Sequence, residues 1–251
     1  MSIYAIKRFI IKTMKLDGYI SSYRLRPDLP NYLSQVLIGL LLSDGSLEKP
    51  LQKGGVRFSL NLSFNNASLL FHVYNLFEPY VNGFPNIVKV IPNRLRWGHK
   101  DKEFDSIRFK TVILPNLVNY YDRFYQFRSE KGKIVKVLPL NIMDIMTPIV
   151  LAYMIMGDGN YHKGKNIIRI YTNNFTKAEV DILADVLYRK LSINARVQHD
   201  RRQQYIIVID KNQIDIVREL VLPYMHPSMM YRIGLINTTN KFNYENILKD
   251  I

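Results

Sequence analysis

The chain has 251 residues, and its 35 Lys and Arg against 21 Asp and Glu leave a net charge of +14 with histidines neutral. Hydrophobic residues at 47% and aromatics at 12% are enough to bury a core, which excludes a disordered basic tail. No run of about 20 apolar residues occurs, Lys7, Arg8, Lys12, Lys15 and Asp17 interrupt the opening segment, and Cys is absent. A membrane span, a signal peptide, disulfide scaffolds, thiolate zinc sites and cysteine nucleophiles are therefore not expected.

In chain order, residues 1 to 28 read as an extension with some helical character. Pro30-Asn31 then opens a helix whose apolar run ends at Asp44-Gly45, a start and a stop that both match helix punctuation. Val56, Phe58, Leu60 and Leu62 alternate with Arg57, Ser59 and Asn61, the period of a half-buried strand. Asn66 opens an apolar helix over 67 to 77. Strands follow at Ile87 to Leu95 and Phe104 to Lys110, then a helix at Val112 to Phe124. Arg128 to Lys136 is charged, contains Gly132 and lacks periodicity, so it reads as a linker, with the boundary near residue 133.

The second half repeats this order. Thr147-Pro148 opens an apolar helix ending at Asp158-Gly159, and Asn166 to Thr172 alternates as a strand. Thr176 and Glu179 form a capping box for a helix to Leu191. Strands at Ala195 to His199 and Tyr205 to Asp210 precede a helix from Gln213 to Leu222, with Asn212 as its expected cap. The expected class is α+β: two pseudo-symmetric α-β-β-α-β-β-α repeats at 29–127 and 147–234, joined by a linker at 128–146 and followed by a polar tail at 235–251.

The repetition is sharpest in two nonapeptides, Leu37 to Gly45 (LIGLLLSDG) and Leu151 to Gly159 (LAYMIMGDG), whose acids lie 114 residues apart. Gly39 and Ser43 stand four apart, and small residues at that spacing leave a flat helix face that another helix can approach closely. Two such helices pairing about a pseudo-twofold axis bring Asp44 and Asp158 together at one edge. Carboxylates that close repel unless a proton or cation lies between them, and with hard oxygen ligands alone Mg²⁺ is the fitting ion for phosphodiester hydrolysis. Tyr153 stands where a small residue would suit this contact, while Ala152 and Gly157 keep the other small positions. An excess of 14 positive charges on so small a body favours a polyanion as partner. His72, His99, His162, His199 and His226 have no zinc-site spacing, and no Gly-rich phosphate loop of the GxxxxGK[ST] type occurs.

These residues resemble the LAGLIDADG homing endonucleases in their single-chain, two-motif form, over roughly residues 31 to 233. The resemblance implies motif helices packed at the interface between the repeats and two antiparallel sheets forming a DNA-binding saddle. It implies Asp44 and Asp158 as metal ligands and catalytic acids, with Mg²⁺ as cofactor, Mn²⁺ substituting and Ca²⁺ binding without supporting cleavage. A basic residue beside each acid is also implied: Lys136, in its Lys-x-x-Pro context before Pro139, and Arg232, which ends the stretch Pro223 to Tyr231. Arg keeps the charge there but cannot lose its proton. Asn65 and Asn173, at the strand ends, are the implied water-ordering residues; each also suits a helix cap.

A strand ribbon fits the major groove. The candidate DNA contacts are Arg57, Ser59, Asn61, Arg94, Arg96, Lys100, Lys102, Arg108 and Lys110 in the first repeat. In the second they are Lys163, Lys165, Arg169, Arg196, Gln198, Arg201, Arg202 and Gln204. Trp97 to Lys102 reads as a hairpin tip able to touch the backbone. The implied activity is a staggered double-strand cut with short 3′ overhangs in a long asymmetric duplex, by a monomer without membrane association, encoded within an intron. The abundance of Asn, Ile, Lys and Tyr matches A/T-rich codons and, with the family, a mitochondrial or plastid origin. Two other readings stay open: an RNA maturase acting on its own group I intron, and a relative that binds DNA without cutting it.

Overall fold

Two apolar helices, α1 (Asn31–Leu41) and α5 (Pro148–Asp158), pack side by side at the centre. The structure is a computed structural model that describes residues 27–50, 54–90 and 104–235. From Asp28 onward these residues pack as one compact unit. Along α1, Leu33, Val36, Leu37, Ile38, Leu40 and Leu41 are all buried, and in α5 every residue from Val150 to Gly157 is buried. Helices apolar nearly all round belong in the middle of a core. The Thr147 hydroxyl caps α5 by accepting from the Val150 amide, with Pro148 in the first turn.

Around this pair stand two open antiparallel sheets of the same order. The first is β1 (Ser46–Glu48), β2 (Arg57–Ser63), β4 (Phe104–Lys110) and β3 (Asn86–Val90), arranged β1-β2-β4-β3. The second is β7 (Gly159–His162), β8 (Ile167–Tyr171), β10 (Tyr205–Ile209) and β9 (Ala195–His199), arranged β7-β8-β10-β9. The remaining helices are α2 (Ala67–Leu76), α3 (Val118–Phe124), a single turn α4 (Ile142–Ile145), α6 (Lys177–Leu191) and α7 (Ile214–Val221). One apolar core runs through both repeats, from Phe58, Leu60 and Phe109 of the first sheet to Ile168, Ile170 and Ile207 of the second. The architecture is α+β, as expected, and the capping box of Thr176 and Glu179 at the start of α6 is present.

Several local expectations are corrected. The stretch read as a linker without periodicity carries strands: Tyr125–Arg128 (β5) and Lys133–Lys136 (β6) form an antiparallel hairpin turning at Gly132, whose φ of +60° suits glycine. The first closing helix starts at Val118, because Leu114 pairs with Val56 in an extended bridge and Pro115 disfavours helix for the residue before it. Asn212 does not cap α7; it lies in a 3₁₀ turn, Lys211–Gln213, and the side chain of Gln213 instead accepts from the Asn194 amide at 2.8 Å. Asn66 likewise makes no side-chain cap at α2. Neither motif glycine needs a left-handed backbone. Gly159 has φ −77° and ψ 153°, and a Cβ there would come 2.5 Å from the Ile155 carbonyl oxygen, so close approach rather than turn conformation requires glycine. The extension up to residue 26, the tail after Leu235 and residues 91–95 of the strand expected at Ile87 to Leu95 lie outside the described residues.

Candidate active site and nucleic-acid interface

The helix pair is close because of two glycines. A Cβ on Gly39 would meet the Val150 carbonyl oxygen at 2.6 Å and the Tyr153 Cβ at 2.7 Å, and one on Gly157 would collide with the Ser43 side chain. Tyr153 does not open the contact. Its Cβ rests on Gly39 while its hydroxyl reaches His72 Nε2 at 2.8 Å and the Tyr32 hydroxyl at 3.4 Å. The ring therefore leaves the seam toward α2, and the stretch running to Arg232 packs on the same side, with the His72 and His226 rings 5.0 Å apart.

At one end of the seam the two acids share an electrostatic environment, although the helices end differently. Asp158 is the last residue of α5, whereas Asp44 lies in the turn following α1. Burial, and next the charge of Asp44, push the Asp158 carboxyl up to about 7, opposed by Lys136 and Arg232. Asp44 is more open to solvent, but desolvation of its carboxyl still raises its pKa, against the pull of Arg232 and Lys136. Lys136 donates from Nζ to the carbonyls of Ser43 at 3.0 Å and Gly45 at 2.6 Å, the two residues flanking Asp44. Burial lowers it to about 8, against the attraction of Asp158 and Asp44. Arg232 donates from Nη1 to the carbonyl of Gly159, and its Nε is buried without a hydrogen-bond partner. Each motif glycine carbonyl is thus held by a cation from farther along the chain, Lys136 after the first repeat and Arg232 near the end of the second. Both cations act electrostatically on both acids.

The donor set decides which cation fits. Among the described residues no cluster of three or more His, Cys, Asp or Glu side chains forms. Two carboxylates whose protonation is promoted by burial, and at Asp158 also by the charge of Asp44, suit a hard divalent ion that retains several waters of its own. Zinc, with three or four protein ligands, does not suit them.

Asn65 and Asn173 occupy corresponding places, just beyond β2 and β8, and both are exposed. On the first sheet the register puts Glu48, Arg57, Ser59, Asn61, Arg108 and Lys110 on the face opposite the core. Two expectations change there. Ser59 is only 6% exposed. Arg57 and Lys110 each meet Glu48 at 2.7 Å, so both cations are partly neutralised by an acid that strand periodicity alone had not singled out. Arg94, Arg96, Lys100 and Lys102, with the Trp97 hairpin tip, lie outside the described residues.

On the second sheet Arg169, Arg196 and Gln198 share the outer face with an apolar stripe of Ile167, Ile206 and Val208, packed with Tyr171. The signal for this stripe was available: Tyr205 to Ile209 does not alternate, so β10 is apolar on both faces. Arg196 is paired with Asp210 at 3.1 Å and bonded to Gln198, and Arg201 meets Asp200 at 3.5 Å and Gln204. Lys163 and Lys165 are exposed in the β7–β8 turn, and Arg202 in the β9–β10 turn with φ +52°.

Paired apolar helices, one acid at the end of each and a cation beside each acid, define a two-repeat α+β protein with a single composite acid site between the repeats. The chain belongs to the LAGLIDADG DNA endonuclease family, whose sequence pattern matches residues 34–217. It is 31% identical over 167 residues to the intron-encoded endonuclease ai4 of Dictyostelium discoideum, covering 65% of this chain and 99% of that protein. It is 30% identical over 209 residues to the cytochrome b mRNA maturase bI2 of Saccharomyces cerevisiae, covering 81% of this chain. The chain spans about half of that maturase, 47% of its length. The homing endonuclease I-WcaI bound to its DNA recognition sequence has the same fold, with a TM-score of 0.75 at 21% identity over 88% of this chain and 95% of that one.

Proposed function

We propose that this protein is a site-specific DNA endonuclease that makes a staggered double-strand cut in a long asymmetric duplex, as an intron-encoded homing enzyme acting as a monomer. The observation that carries the reading is the acid pair, Asp44 and Asp158, with Lys136 and Arg232 beside it. Asp44 and Asp158 would hold Mg²⁺, which when bound supplies Lewis-acid neutralisation of the scissile phosphate. The chain's own groups do the rest. The unprotonated carboxylates accept hydrogen bonds from the attacking water, and Lys136 and Arg232 place positive charge at the phosphate oxygens as charge builds there. Asn65 and Asn173 order water at the two strand ends. One repeat, 29–127, reads one half of the target and the other, 147–234, the second half, through the outer sheet faces. An origin in a mitochondrial or plastid genome fits the intron-encoded relatives.

Asp44→Asn and Asp158→Asn test this directly on a randomised duplex library with Mg²⁺. Paired cuts at one motif by the parent chain, lost in either variant while duplex binding persists, support the reading, because phosphate and groove contacts elsewhere supply most of the affinity. Loss of binding together with cleavage would sink it. A second reading, an RNA maturase, is favoured by a specific observation: two relatives at 30% and 31% identity are cytochrome b mRNA maturases. Tight binding to a structured group I intron RNA with no duplex cleavage would decide for it.

A further inference from the structure

The β5–β6 hairpin is more than a connection between the repeats. Its register pairs Tyr125 with Lys136 and Phe127 with Ile134, and residues two apart on a strand, with their direct partners, share one face. On that face Lys136 reaches the carbonyls on either side of Asp44, and the Tyr125 hydroxyl accepts from the Leu47 amide at 3.0 Å. The next pair outward, Phe127 and Ile134, is 67% and 52% exposed. The other face is tied down. Arg128 bonds Glu179 at 2.8 Å, and Glu179 belongs to the capping box of α6 and accepts from the Leu138 amide. The hairpin is therefore held at both repeats while presenting a large apolar pair to solvent in line with the acid site.

Its charge says what covers that pair. Lys131 and Lys133 are exposed at the tip, and Glu130 is the hairpin's one acid against Arg128, Lys131, Lys133 and Lys136. An apolar pair with Lys131 beyond it at the tip and Lys136 at its base, running on to the acid site, suits a duplex better than a protein surface. One two-residue step along a strand is about 7 Å, the rise of about two base steps of duplex.

We propose that this face of the hairpin is a DNA contact: Phe127 and Ile134 pack against deoxyribose and base edges about two steps from the scissile phosphate, while Lys131 at the tip holds an adjoining phosphate. The proposal rests on the endonuclease reading and adds a contact outside the sheets.

The test compares the parent chain with the double variant Phe127→Ala, Ile134→Ala on the duplex that the parent selects from a random library. Both positions are exposed, so thermal melting should be unchanged. The expected result is a loss of about tenfold or more in duplex affinity, with hydroxyl-radical protection lost at the sugars about two steps from the cut and retained in the flanking half-sites. Unchanged affinity and protection, while the parent binds and cuts, would overturn the hairpin contact and leave the endonuclease standing. A parent chain that neither binds nor cuts any duplex would overturn both. A variant altered only in self-association by sedimentation, or only in binding a group I intron RNA, would overturn the proposal in favour of a second copy or of RNA.

Discussion

Gly39 of α1 lies against the Cβ of Tyr153 in α5, so near that a Cβ at position 39 would stand 2.7 Å from it and 2.6 Å from the Val150 carbonyl oxygen. The second of these neighbours is backbone and cannot rotate away. Gly39→Ala should force the helices apart and destabilise the fold by about 1–3 kcal/mol, read as a lowered denaturant midpoint with an unchanged slope. Because the acids sit at one end of the same seam, cleavage should fall more steeply than stability. A variant as stable as the parent would show that the helix pair is looser than this geometry.

Lys136 carries a pH prediction. Its ammonium is lowered to about 8 by burial, so the positive charge beside Asp44 is present below that pH and lost above it. Cleavage should decline above about pH 8. Lys136→Arg should flatten that decline, since guanidinium keeps its charge, and Lys136→Met should reduce turnover on the order of 10²-fold or more with binding little changed. An identical alkaline limb in the parent and Lys136→Arg would remove Lys136 as its source.

For Asp158 the folded value of about 7 lies above its ordinary 3.8, so between those values the folded chain holds a proton that the unfolded chain has released. This contribution to stability is complete below about pH 4 and disappears as pH rises through 7. In metal-free protein at pH 7.5, Asp158→Asn should raise the melting temperature by about 5 °C, with the two proteins converging toward pH 4. An equal or lower melting temperature for the variant at pH 7.5 would contradict the burial of the Asp158 carboxyl beside Asp44.

The histidines pull the other way. Burial lowers both His72 and His226, and His226 further lowers His72. The unfolded chain therefore takes up protons first as pH falls below the usual histidine value of about 6.5, and stability falls with it. In the Asp158→Asn background, which removes the larger part of the opposing carboxylate effect, unfolding should become easier below about pH 6.5. His72→Gln should reduce that acid sensitivity, as followed by denaturant titration across pH.

The α+β class, the repeated element order and the two acids were legible from local pattern: alternation in β2, the capping box of α6 and the two Asp-Gly termini are properties of neighbouring residues. What was missed depended on residues distant in the chain. Leu114 reads as helix until Val56 pairs with it, and Arg57 and Lys110 read as free groove contacts until strand pairing brings Glu48 between them. Tyr153 looked like a poor seam residue because the sequence does not say that Gly39 would take its Cβ and His72 its hydroxyl. By itself, then, the sequence determined two helices ending in carboxylates and a strongly basic body, since hydrophobic period, helix punctuation and charge act over a few residues. Only the tertiary structure decided that the carboxylates share one crowded site with Lys136 and Arg232, and that a stretch read as linker is a hairpin with Phe127 exposed in line with that site. Burial, and the mutual shift of ionisable groups, arise from contacts made across the whole fold.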